Sequence, residues 1–474
     1  MAGIGFELKK AFGKGTLSSA IKGSTYAVFV TSGPMILNLI MIMTMVQVLK
    51  HQKVSGELLS FFESSIMYAY IFSLLIVSGF IMVIARYASD QLYLKNTTDL
   101  LASLIGVIAL CSVTGGMVGA VFYAASPLPV LYKLLSYQIF MELCIMNVLM
   151  VFVSAVKDYT KVAGAFALGL VITVTACRLL LLFDIPALNA VLGGVVLGYF
   201  FSILYLVSVV KGYFLHISDN TFGFLTTLNR NPLLFFINLL YSLGLFGHNL
   251  LFWFMSDLSV SVAGTYRSAP NYDSATFFAI FTIIPSIVMF TVKVETSFYR
   301  KIRIFDWSIC HGGTLDEIRS ARDQMTETLT TELTFLFELQ LVITLLAIIL
   351  GNHLVLPLFG SNRQTVELFS YLSLGFFIAY MTYIVITFLL YFDDQKSAFI
   401  TALCFSATSL LLTWVTLQLD PIFYGMGLCL SALLSFSLGT WLLRKTLDQV
   451  IYTLYTHYSL QQTEGSEEKE GVST

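Results

Sequence analysis

Residues 211–231 read KGYFLHISDNTFGFLTTLNRN, from Lys211 to Asn231, and form the polar break nearest the middle of a very apolar sequence. On either side of this break lie six hydrophobic segments of membrane-spanning length. A helix that crosses a bilayer needs about 20 mostly apolar residues. The pattern therefore predicts two halves of six helices, joined by one connector on the cytoplasmic side.

The composition of the whole chain supports a membrane protein. Hydrophobic residues make up 57% of the sequence and charged residues 11%, and the mean hydropathy is +0.83. A soluble fold of this composition would have more apolar surface than one core could hide. The charged start runs directly into a full-length apolar segment, so we expect no cleavable signal. The six cysteines lie mostly in apolar runs without a C-x-x-C pair, which is typical of core residues.

The predicted spans divide evenly between the halves. The first six cover Ser24–Leu49, Phe62–Ile84, Asp99–Tyr123, Tyr137–Val156, Val162–Phe183 and Ala190–Val210. The second six cover Pro232–Met255, Ala275–Val294, Thr331–Leu350, Phe369–Tyr391, Ser397–Leu417 and Ile422–Leu443. The predicted domains are a cytoplasmic N-terminal segment (1–23), a first six-helix bundle (24–210), a cytoplasmic linker (211–231), a second bundle (232–443) and an acidic cytoplasmic tail (444–474). The apolar runs lack strand-like alternation, which argues against a transmembrane barrel.

The lysines and arginines predict the orientation. With the N-terminus in the cytoplasm, most of the 26 basic residues fall on the cytoplasmic side, so the positive-inside bias places both termini there. The largest cytoplasmic loop, Ser297–Thr330, carries a helical polar pattern over Leu315–Arg322. This pattern predicts a surface helix at the membrane face, with partner docking as the alternative.

A short sequence echo suggests that the halves are equivalent. The pattern D-x-x-K-x-A occurs at Asp158–Ala163 after the fourth predicted span and at Asp393–Ala398 after the tenth. Matched positions in six-helix units of the same orientation indicate a parallel repeat about an axis along the membrane normal. Chance similarity of helix-end chemistry is the alternative.

No motif in the sequence indicates an enzyme. The chain has no phosphate loop of the G-x-x-x-x-G-K-[ST] type, no H-E-x-x-H and no G-x-S-x-G, and no soluble domain large enough for a nucleotide. We therefore expect no catalytic residue, no metal, no cofactor and no nucleic-acid partner.

Polar residues within spans are costly and are functional candidates for that reason. The seventh predicted span places Asn238, Tyr241 and His248 at helical spacing, with Asn249 beside them, so one face is polar and aromatic. Such a face must point at protein or water. His248 either titrates near neutral pH in a proton-coupled step or is a neutral histidine held by a neighbouring helix.

The tenth predicted span carries a stripe of Tyr380, Tyr383 and Thr387. A tyrosine ring pairs an apolar face with a hydroxyl group, which suits sugar rings that stack and hydrogen-bond. The alternative is an aromatic belt at the membrane interface.

Charged residues complete the candidate set. Glu142 and Arg178 lie in neighbouring predicted helices, and we expect them to pair, because pairing is how buried charge is tolerated in membranes. Arg86 with Asp90 forms either a cytoplasmic anchor or part of the inner mouth of a cleft, and the same holds for Lys293 with Glu295. The candidate substrate-pathway residues are Asn38, Arg86, Asp90, Glu142, Arg178, Asn238, Tyr241, His248, Asn249, Lys293, Glu295, Tyr380, Tyr383 and Thr387.

The N-terminus resembles a known family. Residues 1–10, MAGIGFELKK, together with Ser32-Gly33-Pro34, are similar to the opening of the PelG family, the membrane exporter subunit of Pel exopolysaccharide systems. The Arg86-Tyr87-x-x-Asp90 stretch agrees as well. The resemblance implies an all-α polytopic fold like that of MATE transporters and polysaccharide flippases, with twelve transmembrane helices in two bundles around a central cleft. It also implies the inner membrane as location, and as partners a polysaccharide, membrane lipid, a cytoplasmic glycosyltransferase and other inner-membrane Pel subunits.

These observations together predict transport of a nascent Pel-type exopolysaccharide through a polar, aromatic-lined cleft between the bundles. Three alternatives stay open. A flippase for lipid-linked oligosaccharides would need a basic cleft, and a cation-coupled drug antiporter would need a buried carboxylate, for which Glu142 is the candidate. A membrane scaffold would hold a glycosyltransferase through the loop Ser297–Thr330 without transporting anything.

Overall fold

The computed structural model describes residues 17–155, 158–214, 218–358 and 362–471, with side chains left out at 17–31, 159, 292–293, 295–296 and 453–471. Within the described ranges, twelve helical segments are long and apolar enough to cross a membrane. The predicted all-α polytopic fold is therefore confirmed.

The first half contains six membrane-spanning helices. They are α1 Leu17–His51, α2 Gly56–Tyr93, α3 Thr98–Ala124, α4 Val130–Ala155, α5 Tyr159–Leu182 and α6 Ala187–Tyr213. Several of these helices extend beyond the predicted spans, most of all α2, which runs past Arg86 and Asp90. A long helix keeps its backbone groups hydrogen-bonded to each other outside the hydrocarbon layer as well as inside it. The membrane span therefore ends where the residues change from apolar to polar, whereas the helix continues further.

The connector between the halves packs on the first bundle. It contains a short helix, α7 (Phe224–Arg230), and residues 215–217 lie outside the described residues. The Ser218 amide donates to the Thr98 carbonyl oxygen at 3.3 Å, and the Asn220 Nδ2 donates to Asp99 Oδ2 at 3.4 Å. The connector therefore lies against the start of α3.

The second half begins with a long helix and a small sheet. Its elements are α8 Leu233–Met255, β1 Val260–Val262, β2 Tyr266–Ser268, α9 Pro270–Ile280, a 3-10 turn Phe281–Ile283, α10 Ile284–Met289, a π-helix Phe290–Val294 and α11 Glu295–Cys310. It continues with α12 Leu315–Leu350, a π-helix Gly351–Val355, α13 Leu356–Leu358, α14 Arg363–Tyr391, α15 Gln395–Leu417, a 3-10 turn Pro421–Phe423 and α16 Met426–Gly471.

The eighth span starts earlier than predicted and is interrupted inside. It starts at Pro270, five residues before the predicted start at Ala275, and it is broken by a 3-10 turn just before Pro285. Proline suits the first turn of a helix because its missing N–H would have no partner there, and inside a helix it removes a backbone hydrogen bond. The earlier start places Asp273 inside the span.

The predicted surface helix at Leu315–Arg322 is not a separate element. It is the first part of α12, which starts with a capping box between Thr314 and Glu317 and runs unbroken to Leu350. Antiparallel to it lies α11, where Lys301 Nζ donates to Gln324 Oε1 at 3.0 Å. The two helices form a hairpin, because each buries an apolar stripe against the other.

The two halves meet along α2 and α8. The rings of Tyr68 and Trp253 stack at 4.3 Å, and those of Phe80 and Phe235 meet edge to face at 5.1 Å. A Cβ added at Gly79 would collide with the Phe235 ring, so this close approach of the helices requires glycine. The contacts run along much of both helices and define what we name the α2–α8 seam.

The sequence echo is displaced by one residue in the structure. Asp158 precedes α5 and accepts a hydrogen bond from the Tyr213 hydroxyl on α6 at 2.6 Å. In the second half, Asp394 precedes α15 and accepts from Thr446 on α16 at 2.7 Å. The structural equivalent of Asp158 is therefore Asp394, which leaves Asp393 available for another contact.

Candidate functional site

A buried polar cluster lies between α8 and α9 in the second half, and we name it the Asp273 cluster. The Asp273 carboxylate accepts from Trp253 Nε1 at 2.9 and 3.0 Å, from the Ala269 amide at 3.0 Å and from Asn249 Nδ2 at 3.2 Å. Asn249 and Trp253 are four residues apart on α8, so both side chains point at α9. The carboxylate thus ties two spans together and links them to the end of β2.

His248 lies next to this cluster and is fully buried. Its Nδ1 is 2.7 Å from the Tyr272 hydroxyl, and Phe252 stacks on the Tyr272 ring at 3.6 Å. Its Nε2 has no hydrogen-bond partner among the described residues. This geometry is that of a histidine held by a neighbouring helix, and a role in proton coupling stays a prediction.

The first half contains a second buried carboxylate, Glu142 on α4. Gln138 Nε2 donates to its Oε1 at 3.0 Å, while its Oε2 has no partner among the described residues. Glu142 is 2% exposed. A buried carboxylate oxygen without a donor is costly, so Glu142 carries a free-energy cost that the carboxylate of Asp273, with donors to both oxygens, does not.

Asn38 belongs to a hydroxyl chain across the first half. The Tyr199 hydroxyl on α6 donates to Asn38 Oδ1 on α1 at 2.7 Å and lies 2.5 Å from the Tyr70 hydroxyl on α2. Three spans of the first bundle therefore share one polar contact.

The expected pairing of Glu142 with Arg178 is absent from the described residues. Arg178 is exposed, and Glu142 bonds to Gln138 instead. Arg178 lies four residues before the end of α5, where a long basic side chain can reach the headgroup layer without crossing the bundle. The prediction was wrong because sequence position alone does not determine which way a helix face points.

The predicted tyrosine stripe comes together with the seventh span. The rings of Tyr241 on α8 and Tyr383 on α14 lie 5.1 Å apart, and Tyr380 stacks with Tyr383 at 6.5 Å. The Tyr241 hydroxyl donates to the Ala379 carbonyl oxygen at 3.1 Å, and Thr387 bonds its own helix at Tyr383. In this conformation the tyrosines are packed between helices behind the α2–α8 seam.

Polar contacts cross the seam between the halves. Asn238 Nδ2 donates to the Ser78 carbonyl oxygen at 2.7 Å. Arg86 lies 3.4 Å from Asp90 on its own helix and 3.5 Å from Asp393 of the second half. Arg86 and Asp90 thus sit where the two bundles touch at the predicted cytoplasmic end.

The side chains of Lys293 and Glu295 lie outside the described residues. Their backbone belongs to the π-helix Phe290–Val294 and to the first residue of α11. The structure therefore leaves their predicted place at the mouth of a cleft as a prediction.

Sequence reasoning missed Asp273, Trp253 and Tyr272 as members of a polar site. The signal was Pro270, because a proline at a helix start would have moved the span four or five residues earlier and brought Asp273 into it. Among the described residues, no group of three or more His, Cys, Asp or Glu could hold a metal ion.

An apolar crevice of about 350 Å³ lies between α9, α10, α12 and α14. Phe278, Pro285, Leu350 and Phe369 line it, and Thr282 is the one polar side chain among the described lining residues. It suits a hydrocarbon chain better than a carbohydrate.

The fold is that of the MATE and MOP-type transporters of known structure. A MATE transporter from Vibrio cholerae matches with a TM-score of 0.62 and 12% identity, over 90% of this chain and 98% of that one. A MOP superfamily transporter from Pyrococcus furiosus matches with a TM-score of 0.62 and 11% identity, over 90% and 96%. The likeness confirms the predicted fold of two six-helix bundles. A search of curated proteins finds no significant sequence match.

The chain belongs to the PelG family, described as "Putative exopolysaccharide Exporter (EPS-E)", whose model matches residues 1–455. The resemblance of the N-terminus is thereby confirmed. Family and fold together identify a multi-pass membrane transporter, a class that is generally not enzymatic.

Proposed function

We propose that this chain carries a nascent Pel-type exopolysaccharide across the cytoplasmic membrane, through a cleft that opens between the two bundles. The family match supports an exopolysaccharide as cargo. The fold supports a route between the halves, because transporters built from repeats bind substrate at the repeat interface and move one bundle against the other.

The observation that carries the proposal is the contact of Tyr241 with Tyr383 behind the α2–α8 seam. Asn238, one turn from Tyr241, crosses the seam to Ser78. When α2 and α8 separate, this amide and these tyrosine rings become the wall of the opening. Aromatic faces and hydroxyl groups are what a sugar chain binds without covalent chemistry.

Contacts near both ends of the seam would alternate during transport. The Arg86–Asp393 pair closes the predicted cytoplasmic end, and the stacked rings of Tyr68 and Trp253 lie toward the opposite end. Surface ion pairs are worth about 1 kcal/mol or less, whereas an aromatic stack also buries a large apolar area. The cytoplasmic end therefore opens at the lower cost, which admits the polymer from the side where it is made.

Tyrosine-to-phenylalanine exchange tests the proposal. The variants Tyr241→Phe and Tyr383→Phe keep the ring packing and remove the hydroxyls, so they should insert normally and lower surface polymer severalfold, most strongly when combined. Tyr137→Phe is the matched control, because its hydroxyl bonds the Gly116 carbonyl oxygen on α3 at 3.3 Å, away from the seam. Normal polymer from the inserted double variant would contradict a tyrosine-lined route.

The second candidate function is transfer of a lipid-linked oligosaccharide. The apolar crevice beside Phe278 and Leu350 favours it, because such a crevice could hold a hydrocarbon chain while the sugar crosses elsewhere. Narrowing the crevice by Ala347→Phe separates the two functions. Export of a free polymer should be unchanged, whereas a lipid-linked cargo should be moved more slowly.

The proposal includes a location and partners. We infer that both termini lie in the cytoplasm and that the chain works in the inner membrane with a cytoplasmic glycosyltransferase and other inner-membrane Pel subunits. The positive-inside distribution of lysine and arginine supports the orientation, and the direction of transport requires that the polymer be made on the cytoplasmic side.

A further inference from the structure

The hairpin of α11 and α12 has an outer face that the fold leaves uncovered. We propose that Arg300, Arg303, Ile304 and Trp307, which we name the α11 face, form the docking surface for the cytoplasmic glycosyltransferase. We infer that the matching surface of the enzyme is an apolar pocket with acidic residues on its rim. The identity of the partner rests on the proposed function, whereas the location and chemistry of the surface do not.

The four residues form one stripe of α11. Their spacing of three, one and three residues places them on the same side of a helix. Ile304 is 48% exposed and Trp307 is 63% exposed, while Phe298 and Phe305 on the opposite side are 1% exposed. The buried side already supplies the contact with the bundle and with α12, so the exposed side is not needed for folding.

The hairpin projects beyond the membrane. Lys301 of α11 pairs with Gln324 of α12, so in an antiparallel hairpin Trp307 lies at the level of Ile318. Ile318 is 13 residues before Thr331, where the apolar part of α12 begins. At 1.5 Å per residue this is about 20 Å along the helix.

That distance separates Trp307 from the lipid. The headgroup layer on each side of a bilayer is about 5–8 Å thick. Because α12 is unbroken, its part outside the membrane continues along the axis of the part inside. Even a 40° tilt of this axis, the upper end of the usual range, leaves Trp307 about 15 Å from the hydrocarbon boundary. A membrane surface is therefore out of reach of Trp307, although its composition alone would suit one.

The chemistry of the α11 face is that of a protein interface. Tryptophan and arginine are the residues that most often dominate binding energy at interfaces. Arg300 and Arg303 form no ion pair with another residue of the described ranges, and Arg303 lies over the Tyr299 ring at 6.0 Å. Two arginines beside an exposed isoleucine and tryptophan are complementary to an apolar pocket bordered by carboxylates.

The location of the surface also fits its use. Phe298, two residues before Arg300 and on the opposite side of the helix, packs on Phe388 and Tyr391 at the end of α14. That end leads directly into the turn that holds Asp393, the partner of Arg86. An enzyme docked on the α11 face would therefore sit beside the cytoplasmic end of the seam, where a growing polymer enters.

A binding measurement with purified proteins tests the proposal. The full chain and its double variant Arg303→Glu with Trp307→Ala, each in nanodiscs, would be titrated with the cytoplasmic glycosyltransferase of the same organism's Pel system. Loss of a central tryptophan and reversal of a charge should weaken binding about tenfold or more. The matched control is Arg319→Glu with Leu315→Ala, which combines the same charge reversal with truncation of an exposed apolar side chain on α12 and should stay within about twofold.

The result of the binding measurement can be told apart from that of the polymer export test, because the two proteins can bind without any polymer being transported. Equal affinity of the two double variants, or no binding by the unchanged chain, would overturn the proposal. Brominated lipids quench the fluorescence of a tryptophan that lies in the bilayer. The contribution of Trp307 is the fluorescence of the unchanged chain minus that of Trp307→Phe, and in nanodiscs with brominated lipids this contribution should not be quenched. Strong quenching of that component would place Trp307 in lipid and would also overturn the proposal.

Discussion

The two halves of the transporter each bury one carboxylate, and the two carboxylates have different surroundings. Asp273 receives four hydrogen bonds from three groups, two of them side chains on α8. Glu142 receives one from Gln138 and leaves its second oxygen without a partner among the described residues. Both are at most 8% exposed, so burial alone does not separate them.

The difference indicates two roles. A carboxylate saturated by donors holds spans in place, because removing it leaves several buried N–H groups unpaired. A carboxylate with an unused oxygen costs stability, and such a cost is typical of sites that act on a substrate or an ion. The comparison predicts that changes at Asp273 affect folding and that changes at Glu142 affect transport.

The largest effect should follow Asp273→Ala. The change leaves Trp253 Nε1 and the Ala269 amide without an acceptor and Asn249 Nδ2 with only the Thr276 hydroxyl at 3.4 Å, so we expect a loss of about 3 kcal/mol or more in the free energy of unfolding. Thermal unfolding of the detergent-solubilised protein measures it. The control is Asp257→Ala, an exposed position next to the same helix, which should leave the midpoint unchanged. Equal unfolding midpoints for the two variants would contradict a structural role of Asp273.

Two smaller effects should follow when each carboxylate is replaced by its amide. At Asp273 the replacement should lower stability, and at Glu142 it should lower polymer export. In Asp273→Asn the new NH2 group faces two donors, whichever oxygen it replaces, and we expect a cost of about 1–3 kcal/mol. In Glu142→Gln the acceptor for Gln138 is kept and the unpaired oxygen is replaced, so stability should change by less than about 1 kcal/mol while polymer export falls. Unchanged export from a stable Glu142→Gln variant would show that the unpaired oxygen has no role in transport.

The smallest effect concerns the turn before α5, on the predicted cytoplasmic side. Burial alone would raise the pKa of Asp158, but hydrogen bonds from Lys161, Tyr213 and Thr160 outweigh it and lower the pKa to about 2. Because the folded value lies below the unfolded value of 3.8, the stabilisation is complete above about pH 4. It is lost as the pH falls through about 2. Unfolding curves of Asp158→Asn and the unchanged chain should therefore converge below pH 4, and a constant difference down to pH 2 would refute this.

Much of the fold could be predicted from the sequence, because hydrophobic length and charge asymmetry are properties of the chain alone. The twelve spans were predicted in this way, whereas the family was predicted from the resemblance of residues 1–10 and of Ser32-Gly33-Pro34 to its opening sequence. The start of the eighth span was missed, since hydropathy does not register that Pro270 begins a helix. The echo at Asp158 and Asp393 was found in the wrong register, because the capping geometry selects Asp394.

The candidate site was less predictable for a physical reason. Sequence spacing brings Tyr380, Tyr383 and Thr387 onto one stripe, but only packing brings Tyr241 of another helix to that stripe. The same limit explains Arg178, whose helix position was right and whose direction was not. A polar residue in a span can be recognised from sequence, whereas its partner on another helix cannot.

The central claim is that polymer passes where α2 and α8 separate, and a reducible cross-link tests it most directly. Ser78→Cys and Asn238→Cys, in a background without the native cysteines, would be joined by a short disulfide-containing cross-linker in vesicles with the cytoplasmic face outward. With the glycosyltransferase and its sugar nucleotide outside, polymer should accumulate inside before cross-linking, stop after it and resume on reduction. Undiminished accumulation in the cross-linked protein would contradict the account.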